Sequence, residues 1–535
     1  MQQASASQSM NTHLLQNANL LDGTGAPARV CDVLIRDDRI AQIASHIDPK
    51  ACGAIDIVNC QGLTLAPGFI DVHTHDDAQV LRDPQMLAKV SQGVTTVITG
   101  NCGLSLVPWV TQNPISPLDL LHTTEFKYPS LSSYARAIEA VKPSVNVASL
   151  IGHTTLRAAH MADLNRPANE SEVLAMAAQL THAMQEGALG LSSGLFYQPA
   201  GAADAEEMKA LTRVVGQYGG VYVTHMRSEM DSIIEAMHEA AETAKAGRTP
   251  WILSHHKCAG PKNWGRTLET LALIDRMAKT QEIGLDAYPY NAGSTLLRTD
   301  LVDGVIQILI TRSDPHPEMV GRYLADIASE WGLSQQEACQ QLMPGGACYF
   351  QMDEADVRRV LQHPLTMIGS DGLPHDERPH PRLWGTFARV LGHYARDEKL
   401  FSLPEAIHKM TGLSAKRFGL KDRGQIKEGW FADLVLFDAA IISDQATFDQ
   451  PLLMCRHSKG DGQWNVVFQK RSHSPARVRQ ILAPRINHQD ASTWRFLRVA
   501  VSCCGNHERT YSALNCVGVT LIRRCPELLW TSPLL

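Results

Sequence analysis

The sequence predicts an α/β protein: a (β/α)8 barrel of the TIM type, with a small β domain built from both chain ends. Three observations predict it. Strand-like and helix-like segments alternate through the middle of the chain, the pattern of parallel βαβ units. About eight strand candidates occur there, which favours a closed barrel over an open sheet. Both chain ends carry short strands broken by turns.

The first segment, 12–62, runs from "HLLQNANLLDGTG" into "VCDVLIRDDRIAQIA". Val33, Leu34 and Ile35 are apolar, Asp37 and Asp38 mark a turn, and Ile40 to Ile43 resumes the strand pattern. "LTLAPGFIDVHTH" follows, an apolar run broken by Pro67 and Gly68, and opens the barrel assigned to 63–419. Further strand candidates are "GVTTVITGN", "VNVASLIGH", "GALGLSSGL", "GVYVTHM", "WILSHHK", "IGLDAYPY" and "LTMIGSDG". Glu170 to Glu186, Ala205 to Tyr218 and Asp231 to Ala246 carry apolar residues at three-to-four spacing and read as helices.

The rhythm breaks at about 292–350. Helical pieces and Pro/Gly punctuation occur there, with no strand ending in polar side chains, so the stretch reads as an insertion beside the pocket. After Leu420, "GQIKEGWFADLVLFD" returns to short strands, so 420–485 joins 12–62 in the small β domain. From 486 to 535 the composition shifts, and Cys503, Cys504, Cys516 and Cys525 crowd together without metal-ligand spacing. That segment reads as an atypical, poorly ordered tail.

Bulk composition excludes several function classes. The 535 residues are 44% hydrophobic and 19% charged, and the formal net charge of -6 gives no case for nucleic acid or an acidic membrane as partner. Twelve cysteines without any CxxC, on a chain whose first residues lack a signal-peptide pattern, read as reduced thiols in the cytoplasm. No run approaches the roughly 18 apolar residues of a membrane span.

The chemistry sits at the strand ends. His73 and His75 close an apolar run at i and i+2, a spacing that points both imidazoles the same way. Taken alone, such a pair is as readily two hydrogen-bonded histidines in a turn. Cys102 ends "GVTTVITGNC", His225 ends "GVYVTH", His255 ends "WILSH" and Asp371 ends "LTMIGSD". In a barrel the strand C-termini converge on one face. Imidazoles, a thiolate and a carboxylate therefore meet as one metal-ligating cluster, although they are far apart in sequence.

"GFIDVHTHDD" resembles the first-strand signature of the amidohydrolase superfamily. "TGNCGLS", "SSGLFYQP", "THMRSE", "SHHK" and "GSDGLPHDERPHPR" narrow the resemblance to the N-acyl-D-amino-acid deacylases, or D-aminoacylases, over about 12–450. The resemblance implies that Cys102, His225 and His255 hold a tight Zn2+. His73, His75 and Asp371 would frame a second, weaker site, with Cys102 as bridge. Many relatives in the superfamily bridge through a lysine on the fourth strand; "GALGLSSGLFY" has none, so Cys102 takes that place. His256 would point away. Zinc would acidify water towards a pKa of about 7 and polarise an amide carbonyl, and Asp371 would move the proton from that water to the leaving nitrogen.

The resemblance also implies a small-molecule substrate, its α-carboxylate recognised by Lys257, Tyr288, Ser294 and Arg382. Phe196, Tyr349 and Met352 would line a pocket for apolar D-side chains; an acidic side chain would instead call on Arg298 or Arg378. His153 and Arg227 receive no role. The sequence does not set an oligomeric state. After about 450 the family pattern is lost, as though the frame were disrupted and then read through. Two rival readings stand beside the deacylase: a cyclic-amide hydrolase of the hydantoinase and dihydropyrimidinase kind, and a non-catalytic scaffold on the same fold.

Overall fold

In a computed structural model of the chain, the described residues are 12–452, apart from 54, 122, 124 and 125, together with the backbones of 466–469 and 495–498. Eight parallel strands form the centre. They are β1 (Phe69–Asp71), β2 (Val94–Thr99), β3 (Asn146–Ser149, resuming at Ile151–Gly152), β4 (Gly190–Gly194), β5 (Val221–His225), β6 (Trp251–Leu253), β7 (Ile283–Ala287) and β8 (Thr366–Ile368). Each pairs in parallel with the next. The break in β3 is bridged by the Leu150 amide, which donates to the Thr99 carbonyl at 2.9 Å. A parallel bridge between Thr74 and Gly372 and a 2.8 Å bond from the Asp371 amide to the His73 carbonyl close the ring.

The strand sequences suit that place. β2 reads VTTVIT and is buried throughout, as expected of a parallel strand covered on both faces. Ile70, Ile98, Ala148, Val223, Ile252 and Met367 form one core cluster with Leu413, Ala415 and Phe418, from the Gly412–Arg417 helix and its cap. That part of the barrel is therefore lined by apolar side chains.

Outer helices begin where the sequence caps them. Asn169 and Glu172 make reciprocal capping bonds at the start of Glu170–Gln185, and Asp204 caps Ala205–Gln217. The first of these turns Met176, Leu180, Ala183 and Met184 inward, each larger side chain contributing roughly 1.5–3 kcal/mol by burial. The third predicted helix runs Ile233–Gly247.

The insertion differs from its sequence reading. Besides the helices Leu324–Trp331 and Gln335–Leu342, it holds an antiparallel sheet of Gly293–Leu296, Gly345–Tyr349 and Ile308–Ser313, in that spatial order. The central strand reads GGACY. Its β-propensity is poor, and pairing on both sides holds it rather than local preference.

A separate sheet draws on both ends of the described chain. Its order is Arg495–Arg498, Val466–Gln469, Leu434–Phe437, Thr64–Pro67, Thr12–Leu20, Arg29–Arg36 and Arg39–Ala44, with Asp56–Asn59 also pairing along Thr12–Leu20. Leu15, Val33, Ile35, Leu65, Leu434 and Leu436 share its core. Within the expected poorly ordered tail, Arg495–Arg498 is a strand paired antiparallel with Val466–Gln469. The rest of that tail, including its four cysteines, and the divergent stretch 453–465 lie outside the described residues. Among the described residues no helix is long and apolar enough to cross a membrane.

Candidate metal centre

All six predicted ligands come together at the strand C-termini. His73 and His75 follow β1, Cys102 follows β2, His225 ends β5, His255 follows β6 and Asp371 follows β8. All are buried. The Cys102 Sγ lies 3.2 Å from the His73 Nε2 and 3.5 Å from the His255 Nε2. The Asp371 Oδ1 lies 3.2 Å from the His75 Nε2 and 3.5 Å from the His73 Nε2. Three overlapping groups have ligand atoms within 4.8 Å of one another: His73–His75–Cys102, Cys102–His225–His255 and His73–His255–Asp371.

The backbone at these positions is unusual. Cys102, His255 and Asp371 have φ of 53°, 36° and 49°, a left-handed conformation that non-glycine residues rarely adopt. Neighbouring groups hold it. The Asp77 carboxylate accepts from the amides of Gly100 and Leu106 on either side of Cys102, and the Ser192 hydroxyl accepts from Gly103. Gly100 itself has φ 78°, and any side chain there would collide with the Leu150 carbonyl. The Asp71 carboxylate accepts from the Ser370 amide beside Asp371 and is paired with buried Lys89 at 2.7 Å.

The donor set fits a thiophilic cation. Buried His225 makes no well-formed hydrogen bond through either ring nitrogen, although its ring stands between Cys102 and the Glu229 carboxylate, so it can offer a nitrogen to a metal. Burial alone would push the Cys102 thiol up, but the His73 and His255 imidazoles beside it hold it well below its ordinary value, in the thiolate form a metal needs. Burial likewise opposes charge on Asp371, yet Arg382 and His73 keep its carboxyl well below the usual carboxylate range. The mix of sulfur, imidazole and carboxylate suits zinc.

Sequence reasoning missed two residues. The Glu229 carboxylate accepts from the His255 Nδ1 at 2.9 Å and from the Lys257 Nζ at 2.7 Å, and stands 3.5 Å from the His225 Nε2. It thereby turns the His255 Nε2 towards Cys102. Its one signal is its place four residues after His225 in "THMRSE". Asp286, at the end of β7, reaches His73 and the backbone of His255. Its signal is a lone carboxylate among apolar strand residues.

A cleft of about 640 Å³ opens over the cluster. Lys257, Tyr288, Ser294, Arg382 and Phe196 line it as the sequence implied. The Arg382 guanidinium lies over the Tyr288 ring at 4.5 Å, 2.9 Å from the Asp371 Oδ2, and donates to the Ser294 carbonyl. Two implied pocket residues sit elsewhere. Tyr349 is fully buried in the core of the inserted sheet, where its hydroxyl accepts from the Arg298 amide and donates to the Leu296 carbonyl. Met352 lines an adjoining cavity of about 320 Å³ behind Lys257 and Tyr288. A phenol already satisfied by backbone stays in the core, which is why Tyr349 is not in the wall.

His256 turns away from the cluster and bonds to the Thr270 hydroxyl at 2.8 Å. His153 contacts Glu207 at 2.7 Å, and Arg227 pairs with Glu239. Arg298 forks onto Asp300 and lies over the Phe196 ring at 4.4 Å, while Arg378 donates to the Phe448 and Asp449 carbonyls.

The amidohydrolase family matches residues 56–315 and 335–458. A D-aminoacylase of Alcaligenes xylosoxydans xylosoxydans is 50% identical over 439 residues, covering 82% of this chain and 90% of that protein. An N-acyl-D-aspartate deacylase of the same organism is 47% identical over 82% of this chain and 88% of its own length. The crystal structure of an N-acyl-D-glutamate deacylase from Bordetella bronchiseptica, complexed with zinc and a phosphonate mimic of the tetrahedral intermediate, superposes with a TM-score of 0.81. It is 41% identical and covers 86% of this chain and 96% of that one. A barrel whose strand tips gather these ligands, matched over most of its length by such relatives, places the chain in the amidohydrolase family, within its D-aminoacylase branch.

Proposed function

We propose that the chain is a zinc-dependent deacylase that hydrolyses N-acyl-D-amino acids with apolar side chains to a carboxylate and a free D-amino acid. The observation that carries this reading is the Cys102–His225–His255 group, with Asp371 and Arg382 poised beside it. Cys102, His225 and His255 would hold the zinc, and His73 and His75, both facing the Asp371 Oδ1, would frame a second position with it. Zinc, when bound, supplies Lewis acidity that polarises the amide carbonyl and acidifies water. Asp371, kept ionised, accepts a proton from the attacking water and passes it to the amide nitrogen as the C–N bond breaks. Without that proton the nitrogen is a poor leaving group.

Arg382 and Lys257 are the cleft cations for the substrate carboxylate. Each already has one carboxylate partner, Glu229 for Lys257 and Asp371 for Arg382, and the planar Arg382 guanidinium alone can grip a second carboxylate through two parallel bonds. Leu104, Phe196, Met230, Leu301 and Leu373 make up much of the remaining wall. The 47% identity to an aspartate deacylase raises an acidic side chain as the second reading. Against it, Arg298 and Arg378 already have carboxylate or carbonyl partners. The cyclic-amide reading lacks a fourth-strand lysine, because β4 reads GLSSG.

The test is a panel of N-acetyl-D-methionine, N-acetyl-D-phenylalanine, N-acetyl-D-aspartate, N-acetyl-L-methionine and hydantoin with zinc-loaded protein. Turnover is expected to be highest on the first two, low on the aspartate and absent on the last two. Preferential opening of hydantoin, or full turnover after exhaustive chelation, would refute the proposal.

A further inference from the structure

We infer that Asp286 is a positioning residue that ties the two halves of the metal centre into one unit. It is 1% exposed and sits on β7, between the strand that delivers His255 and the strand that delivers Asp371. Its carboxylate does two things at once. It lies 3.2 Å from the His73 Nδ1 and accepts from the His255 backbone amide at 2.9 Å. Its backbone carbonyl accepts from the His256 amide at 2.8 Å, so the turn after β6 is fastened to residue 286 at two points.

Each contact has a consequence for a ligand. A carboxylate at Nδ1 keeps the proton there and leaves the His73 Nε2 as the free donor, pointing at Cys102 and Asp371. The amide bond is what holds His255 at φ 36°. A residue in that conformation persists only where its surroundings over-determine it, and the buried amide would otherwise have no acceptor. Asp286 belongs to none of the three ligand groups. It acts through His73 and His255 rather than on the metal itself. His73 belongs to the group with His75 and Cys102, His255 belongs to the group with Cys102 and His225, and the two meet with Asp371 in the third group. One carboxylate therefore sets the spacing between the two positions.

The inference rests on these side chains holding metal, and the experiment separates the two. Zinc alone is the probe, titrated against a chromophoric chelator on the full chain, with thermal melts run in parallel. Wild-type protein that takes up no zinc would overturn the metal reading. Asp286→Asn keeps an acceptor for the His255 amide but removes the charge facing His73; Asp286→Ala removes both. Asp286→Asn is expected to melt as wild type and to weaken zinc by roughly 10–100-fold in the step that uses His73, sparing the other. Asp286→Ala is expected to weaken both steps. A wild-type chain that binds zinc while folded Asp286→Asn binds it equally well overturns the inference and leaves the metal reading standing. Loss of folding in Asp286→Asn also overturns it, because the residue would then serve the fold and not the site.

Discussion

Asp371 shows how much a single side chain here must reconcile. Its Oδ1 faces His73 and His75, its Oδ2 meets Arg382, and its backbone amide closes the barrel ring. Asp371→Asn keeps the size and the backbone bond but cannot take a proton. Its kcat is expected to fall by ~10²–10⁴, the range of general acid–base catalysis, while the Cys102–His225–His255 zinc is retained. Steady-state kinetics with metal analysis on the same sample check this; a variant that keeps its kcat removes Asp371 from the mechanism. The six clustered side chains were legible because each follows or ends an apolar strand. Glu229 and Asp286 were not. Their role lies in contacts 26 and 213 residues away in sequence, to His255 and His73, and a carboxylate in a strand carries no mark of what it will touch once folded.

Elements were legible where period and capping agreed. The helix Glu170–Gln185 begins at a reciprocal cap and keeps its apolar face, and the barrel strand β2 is a β-branched run. The inserted sheet was missed because its central strand is glycine-rich and exists only through its neighbours. The helix Leu403–Met410 carries a testable oddity. Its Lys409 is buried, with its Nζ donating to the His363 carbonyl at 2.6 Å, and burial pushes its pKa down to about 8. The unfolded chain holds that proton up to about 10.4. Between these limits the unfolded state binds more protons, so stability rises with pH. Relative to Lys409→Met, the wild type is expected to gain up to ~3 kcal/mol from pH 8 to 10.4. Paired denaturant melts would show a constant difference if Lys409 stays charged.

At the scale of the molecule, every residue assigned to the site falls between His73 and Arg382, inside the barrel and its insertion. The edge pair Val466–Gln469 and Arg495–Arg498 belongs to the other sheet. A chain ending at Pro484 loses the outermost strand and should keep its zinc content and its kcat/KM within about twofold, with a lower melting temperature, since edge pairing supports its own sheet. Loss of zinc from that shortened chain would show that the terminal segment supports the centre. The two-ended sheet was legible as a style of sequence at both termini; its strand order was not, because pairing partners hundreds of residues apart leave no local trace.

The left-handed backbone at Cys102, His255 and Asp371 sets a direction for drift. Each such residue costs about 1–3 kcal/mol, and glycine would occupy the same conformation without strain. A lineage freed from catalysis would thus find sturdier folding in the very substitutions that abolish hydrolysis. At these three positions, durability of the fold and the capacity to hold a cation therefore pull in opposite directions.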